Sequence, residues 1–208
     1  MTKMVTVSVA LEITGTLGAN PLHKLQAIGG DPTHTHPKRH FYVPTGGMLR
    51  IAHLNLTSGR VWSSSYLQGS LHDRGGSILV NGALATLELQ SVVLAGCGNT
   101  RACARYGGAL WLGNGASAIV EASTFEHCVA QESHGGAISV SRSIASISST
   151  TFQDNSALLS DGGALHLFDD AIVRVVATVF KGNMAMGTGG AISLIDGAEL
   201  TLDGGENV

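Results

Sequence analysis

Apolar and polar residues alternate in short runs along most of the chain. After each of five glycine pairs, two apolar residues stand two positions apart, as Leu110 and Leu112 do, and a second pair such as Ala118 and Val120 follows further along. Alternate residues of a strand face the same side, so these pairs predict short strands with one buried face. No segment shows the i, i+3, i+4 stripe of an amphipathic helix. The pattern therefore predicts an all-β fold.

The predicted strands recur with a period of about 27 residues, marked by two motifs. A Gly-Gly-Ala-aliphatic motif occurs four times, its first glycines 28, 27 and 27 residues apart, and a diverged copy lies 32 residues upstream at Gly75-Gly76. Its four glycine pairs are Gly107 and Gly108, Gly135 and Gly136, Gly162 and Gly163, and Gly189 and Gly190. The second motif, Phe-x-x-Asn, begins at Phe152 and Phe180, and Phe125 begins a copy with Cys128 in place of Asn.

Two motifs in phase over four repeats predict a solenoid. Each repeat is too short for a helix and two strands but long enough for about three strands and their turns. We therefore predict a single-stranded right-handed parallel β-helix of about six coils, each of 27–32 residues. The whole chain, 1–208, is predicted to be one domain. Residues 4–74 form irregular coils with a loop at 29–40, and residues 75–208 form regular coils that stop in mid-coil.

Stacked coils place equivalent residues in ladders about 4.8 Å apart. Phe125, Phe152 and Phe180 are predicted to form an aromatic ladder in the core. Asn155 and Asn183 are predicted to bond the backbone of a recurring turn. The paired glycines supply backbone angles or close approaches that a side chain would block.

The cysteines allow more than one arrangement. Cys97 and Cys128 occupy the same position in adjacent coils, so their Cα atoms should lie about 4.8 Å apart, within disulfide reach. Cys103 lies in a short insertion and can instead turn back to Cys97. Alternatively, Cys97 and Cys128 are reduced, buried, small apolar residues.

Composition narrows the function classes. The apolar fraction of 44% argues against disorder, and 28 glycines with only 13% charged residues suit short strands and tight turns. A net charge of −3 gives no reason to expect a nucleic-acid partner. No apolar run reaches the roughly 18 residues of a membrane-spanning helix. We therefore expect neither nucleic acid nor a transmembrane segment.

The paired motifs resemble the repeats of the chlamydial polymorphic membrane proteins, over roughly residues 75–202. In that family the repeats form the secreted passenger of an autotransporter, which acts as an adhesin. The resemblance implies a structural or adhesive module of a secreted or cell-surface protein, with a glycan or a cell-surface protein as partner. The chain departs from the family in having Cys at two Asn positions. Open coil ends also predict self-association.

The alternative function is a polysaccharide-processing enzyme of the lyase or epimerase type, because β-helices often support such chemistry. It requires acids clustered on one outward face. The candidate residues, all in one coil, are Asp161, His166, Asp169, Asp170 and Arg174. Neighbouring coils offer only Ser139, Ser146, Ser193 and Thr201 at matching outward positions. We expect no acids on adjacent coils, and so no catalysis; no catalytic residue is assigned.

Outward positions also give the candidate ligand-binding residues. Strand alternation directs Trp111 and His166 away from the core, where an aromatic ring can stack on a sugar. Histidines His34, His36 and His40 have the spacing of metal ligands, but they lie in a Pro- and Thr-rich segment that is read as a solvated loop. We therefore expect no metal and no cofactor.

Overall fold

The computed structural model describes residues 5–14, 23–26, 39–59, 61, 74–97, 106–131 and 134–204. In these residues the regular elements are all β-strands, and none is a helix. Every strand pairs in parallel with its counterpart in a neighbouring turn of the chain. The fold is therefore the all-β parallel β-helix that the repeat predicts.

The strands form four sheets that run along the solenoid. Sheet A contains β1 (Val5–Thr6), β4 (Phe41–Pro44), β7 (Ile78–Asn81), β10 (Leu110–Gly113), β14 (Ile138–Ser141), β18 (Leu165–Phe168) and β22 (Ile192–Leu194). Sheet B contains β2 (Ala10–Thr14), β5 (Met48–Ala52), β8 (Thr86–Gln90), β11 (Ser117–Glu121), β15 (Ile144–Ser148), β19 (Ile172–Val176) and β23 (Glu199–Asp203).

Sheets C and D are smaller. Sheet C contains β3 (His23–Gln26), β6 (Leu54–Thr57), β9 (Val93–Ala95), β12 (Thr124–Glu126), β16 (Thr151–Gln153) and β20 (Val179–Lys181). Sheet D contains β13 (Val129–Ala130), β17 (Ser156–Ala157) and β21 (Met184–Ala185).

The coil count differs slightly from the predicted six. Sheets A and B each stack seven strands, and about four turns, those that begin at a Gly-Gly-Ala motif, make up the regular part. The predicted loop at 29–40 lies outside the described residues except for Arg39 and His40, which are both buried.

The core lies in the channel that the sheets enclose. On sheet A the register aligns Leu110 with Ile78 on one side and Ile138 on the other, and all three are at most 1% exposed. On sheet C the rings of Phe125, Phe152 and Phe180 stack at centroid distances of 5.0 Å, with interplanar angles of 12° and 5°. One continuous apolar cluster therefore connects the turns.

The glycine pair marks the point where each turn enters sheet A. The first glycine, as in Gly135, has a φ of 71°, a conformation that side chains disfavour. The second, as in Gly136, lies so close to the next turn that an added Cβ would be 2.0 Å from the carbonyl oxygen of Gly163. The motif is therefore required by backbone geometry and by close stacking.

Candidate functional site

Three charged residues form a column on the outer face of sheet B. Glu12 on β2 is the register partner of Arg50 on β5, which is in turn the partner of Glu88 on β8. The Arg50 guanidinium donates two hydrogen bonds to the Glu88 carboxylate, Nε to Oε2 at 2.5 Å and Nη2 to Oε1 at 3.1 Å. These bonds lower the pKa of Glu88 below its ordinary value. The pair is solvent-exposed, so its main effect is to orient Arg50.

An open groove of about 330 Å³ runs along this column. Its volume lies at the lower end of the range for small-molecule sites. Ile119 on β11 is 53% exposed and gives the groove an apolar wall. The polar side chains that line it come from four successive strands: Glu12, Arg50, Glu88, Gln90 and Glu121.

Exposed isoleucines alternate with polar residues such as Ser146 and Arg174 on the outer face of sheet B beyond the groove. Ile144 on β15 and Ile172 on β19 are register partners, and they are 58% and 48% exposed. Together with Ile119 they place three exposed isoleucines on three consecutive strands. Exposed apolar side chains that recur on neighbouring strands are typical of interaction surfaces. We call the groove and these isoleucines the sheet B face.

Sequence reasoning missed the acids of this face. The expectation that no acids lie on adjacent coils is wrong, because Glu88 and Glu121 lie on the neighbouring strands β8 and β11. The steps from Glu12 to Arg50 and from Arg50 to Glu88 are each 38 residues, so the 27-residue repeat did not reveal their alignment. The detectable signal was the period-2 alternation of Met48–Ala52 and Thr86–Gln90.

The predicted exposure of Trp111 and His166 is wrong, since each is only 1% exposed. Their side chains do point away from the core, but other residues cover them. The Trp111 ring packs against Tyr106 and Phe168 at centroid distances of 5.3 and 5.7 Å, and the Arg74 guanidinium lies over it at 4.3 Å. Ser139 and Ser193 in the same column are also buried. In this conformation Trp111 and His166 therefore offer no surface to a ligand.

His134 and His166 belong to the same group of outward-facing rings as Trp111, because His134 packs against Tyr106 and His166 packs against Phe168. Their rings stack with centroids 4.1 Å apart and planes 16° apart. Burial and, to a smaller extent, the charge of the neighbouring His134 together lower the pKa of His166 to about 4. Burial also lowers the pKa of His134, whereas Asp161 acts in the opposite direction. Both rings are therefore neutral at pH 7.

Ser160, His134 and Asp161 do not form a nucleophile relay. The Oγ of Ser160 lies 2.8 Å from the Nδ1 of His134, and the Oδ2 of Asp161 lies 3.4 Å from the same nitrogen. A relay needs the hydroxyl and the carboxylate on opposite ring nitrogens. The backbone N–H of Thr188 also donates to Asp161 at 2.5 Å, and this bond lowers the pKa of the carboxyl. The arrangement is suited to holding turns together.

The other acids proposed for catalysis are dispersed. Asp169 accepts a hydrogen bond from Ser141 at 3.0 Å, and Asp170 is exposed. Arg174 lies on sheet B, where its Nη2 is 2.8 Å from the Oδ2 of Asp203. The structure therefore brings only Asp161 and His166, of the five candidates, into one cluster.

Cys97 and Cys128 are buried, free thiols. The Sγ of Cys97 lies 3.2 Å from the Oγ of Ser77, and the Sγ of Cys128 donates to the carbonyl of Leu94 at 3.5 Å. Burial raises the pKa of Cys128 well above its ordinary value. Cys103 lies outside the described residues. The thiols occupy the first two positions of the ladder that Asn155 and Asn183 continue.

The part of the chain that the structure describes contains no group of three or more His, Cys, Asp or Glu side chains arranged to hold a metal ion. It likewise contains no helix long and apolar enough to cross a membrane. His34 and His36 lie outside the described residues.

Comparison of the chain with known protein families, curated proteins and solved structures finds no match.

Proposed function

We propose that the chain is a non-catalytic structural or adhesive β-helix module of a secreted or cell-surface protein. The observation that carries this proposal is the sheet B face, where exposed isoleucines adjoin a charged groove on successive turns. A flat parallel sheet presents its groups at intervals of about 4.8 Å, which suits an extended ligand or a broad protein surface. The expected partner is a glycan or a cell-surface protein.

Two further features support the module. The Gly-Gly-Ala and Phe-x-x-Asn repeats resemble those of the polymorphic membrane proteins, whose passengers act as adhesins. Exposed apolar side chains also lie on the turn that carries β21 and β23, with Leu202 56% and Met186 73% exposed. Self-association through these side chains is part of the proposal.

The alternative is a polysaccharide lyase or epimerase, which the acids of the groove favour. Glu88 and Glu121 lie on adjacent strands, as a pair of acid–base groups would. Against it, Arg50 holds the Glu88 carboxylate by two hydrogen bonds and keeps it ionised. Lyases and epimerases remove a proton from the sugar, and a lowered pKa makes Glu88 a weaker base for that step. The observations therefore favour binding over turnover.

The test combines binding and turnover on the same preparations. Purified protein is applied to glycan arrays and to intact cells, and is incubated with alginate and pectate with and without Ca²⁺. We expect binding that Ile144→Ser with Ile172→Ser reduces at least about tenfold, and no unsaturated or epimerised product. Leu159→Ser, which replaces a leucine that is 65% exposed and lies outside sheet B, is the matched control. Turnover that Glu88→Gln or Glu121→Gln abolishes would establish the enzyme instead.

A further inference from the structure

The stacked histidines join two consecutive turns outside the apolar core. His134 directly precedes the glycine pair of one turn, and His166 lies on β18 of the next. The contact is held from both sides. The Oγ of Ser139 donates to the carbonyl of His134 at 2.8 Å, and the Phe168 ring packs against His166 with centroids 5.1 Å apart. The two rings therefore have little freedom to separate while the turns stay in place.

We propose that the His134–His166 stack is an acid-sensitive contact, which holds consecutive turns together when both rings are neutral and opens when acidification charges them. This device is independent of any ligand and therefore goes beyond the proposed binding function. Its basis is geometric: two imidazolium rings with centroids 4.1 Å apart repel each other, and His166 is only 1% exposed, so solvent screens this repulsion weakly.

The surrounding charges can compensate one proton but not two. Among the described residues, Asp161 is the carboxylate that faces the pair, and its Oδ1 already accepts hydrogen bonds from the backbone N–H and the Oγ of Thr188. On the other sides the pair meets neutral groups: Ser160, Tyr106, Phe168 and, as register partners of His166, Ser139 and Ser193. The positive charge of Arg74 lies over Tyr106 at 5.4 Å. The Asp161 carboxylate can offset the charge of one imidazolium, so a second proton enters a site whose facing negative charge is already compensated.

The protonation equilibria agree with this geometry. Burial and the neighbouring His134 lower the pKa of His166 to about 4, whereas an unfolded histidine titrates near pH 6.5. Between these values the unfolded chain binds protons that the native stack does not. The stabilisation is therefore fully present above about pH 6.5 and is lost as the pH falls towards 4. In addition, the Nδ1 of His166 has no hydrogen-bond partner among the described residues, so no acceptor there stabilises a proton on that nitrogen.

The test uses the full chain and measures thermal unfolding from pH 7.5 to pH 4.5. We expect His166→Phe, which keeps an aromatic ring in the stack but cannot be charged, to lose less than half as much Tm on acidification as the parent chain. His127→Asn removes an exposed histidine at a position of positive φ and is the matched control. It should reproduce the parental pH dependence. An equal acid loss in His166→Phe and in the parent chain would refute the proposal.

A second measurement is made on the parent chain, so its main result does not depend on whether a variant folds. Nuclear magnetic resonance titration of the histidine ring protons in the parent chain should show two linked transitions for the pair, both below the ordinary histidine value. Where His134→Phe folds, the pKa of His166 should rise, because one neighbouring charge has been removed. Independent titration of both rings near pH 6.5 in the folded chain would refute the proposal.

Discussion

The side-chain amide of Asn155 donates a hydrogen bond from its Nδ2 to the Oδ1 of Asn183 on the next turn, at 2.9 Å. The same Asn183 oxygen accepts the backbone N–H of Asn155 at 3.1 Å. Towards the preceding turn, the Oδ1 of Asn155 accepts the backbone N–H of Cys128 at 3.0 Å, and its Nδ2 donates to the carbonyl of Phe125 at 3.0 Å. The side chain thus satisfies buried backbone groups at a corner where strand pairing is interrupted.

Replacing Asn155 with Ala should destabilise the fold by roughly 1–3 kcal/mol, because it leaves the buried N–H of Cys128 without an acceptor. Asn183→Ala should cost less, since Asn183 is only partly buried. The exposed Lys181→Ala is the control and should stay within about 0.5 kcal/mol. Chemical denaturation of the three variants gives these free energies. Equal values for Asn155→Ala and Lys181→Ala would show that the ladder contributes nothing.

Phe152→Ala should destabilise the fold by about 3–5 kcal/mol, because the side chain is completely buried between two stacked rings. Ser146→Ala, on the solvent side of sheet B, should be nearly neutral. Ser139→Ala differs from that control: its hydroxyl is buried and bonds the carbonyl of His134, so a cost of about 1 kcal/mol is expected. Urea denaturation separates the three. Similar values for Phe152→Ala and Ser146→Ala would mean that their in-and-out assignment is wrong.

The fold class was predictable because stacking makes sequence distance and spatial distance equivalent. A residue such as Phe152 meets the residues one period before and after it, so a period of about 27 residues directly indicates its neighbours. Strand alternation then tells which side chains face the core. Both signals are local in the sequence, and both can be read from one chain.

The outer features were not predictable in the same way. Alternation correctly directed Trp111 and His166 away from the core, but it could not show that Tyr106, His134 and Phe168 cover them. Alternation gives the direction of a side chain and not its contacts, and these contacts depend on how rings from several turns pack on the outside of sheet A. The alignment of Glu12, Arg50 and Glu88 could not be predicted from the repeat either. Longer connections in the first turns separate these residues by 38 positions instead of about 27, although they remain register partners on neighbouring strands.

The second glycine of the repeat motif offers a matched pair of variants. An added Cβ at Gly163 would lie 2.0 Å from the carbonyl oxygen of Gly190 and 2.5 Å from the backbone nitrogen of Met184. At Gly190 the nearest atom, the carbonyl oxygen of Asn183, would be 3.7 Å away. Gly163→Ala should therefore cost about 2–3 kcal/mol, and Gly190→Ala should stay within about 0.5 kcal/mol. Thermal unfolding measures both. A loss at Gly190 as large as that at Gly163 would contradict close stacking as the cause.

The thiols of Cys97 and Cys128 should be reduced and protected in the native chain. Both are 0% exposed, and burial raises the pKa of Cys128, so little of its reactive thiolate forms. The hydrogen bond with Cys128 lowers the pKa of Cys97, so the protection of Cys97 rests on its burial. In a Cys103→Ser background, we expect a thiol reagent such as Ellman's to react at least about a hundredfold more slowly with the folded than with the unfolded protein, because labelling requires local opening.

The number of thiols then distinguishes the two arrangements that the sequence left open. Unfolding the same variant in guanidinium without a reductant should release two reactive thiols. If none reacts until a reductant is added, Cys97 and Cys128 are joined by a disulfide across adjacent turns, and the free thiols of the structure do not describe the purified protein. Cys128→Ser supplies the control, since it retains a single thiol that cannot form the bond within one chain. A single reactive thiol in that variant, both before and after reduction, calibrates the assay on which this prediction depends.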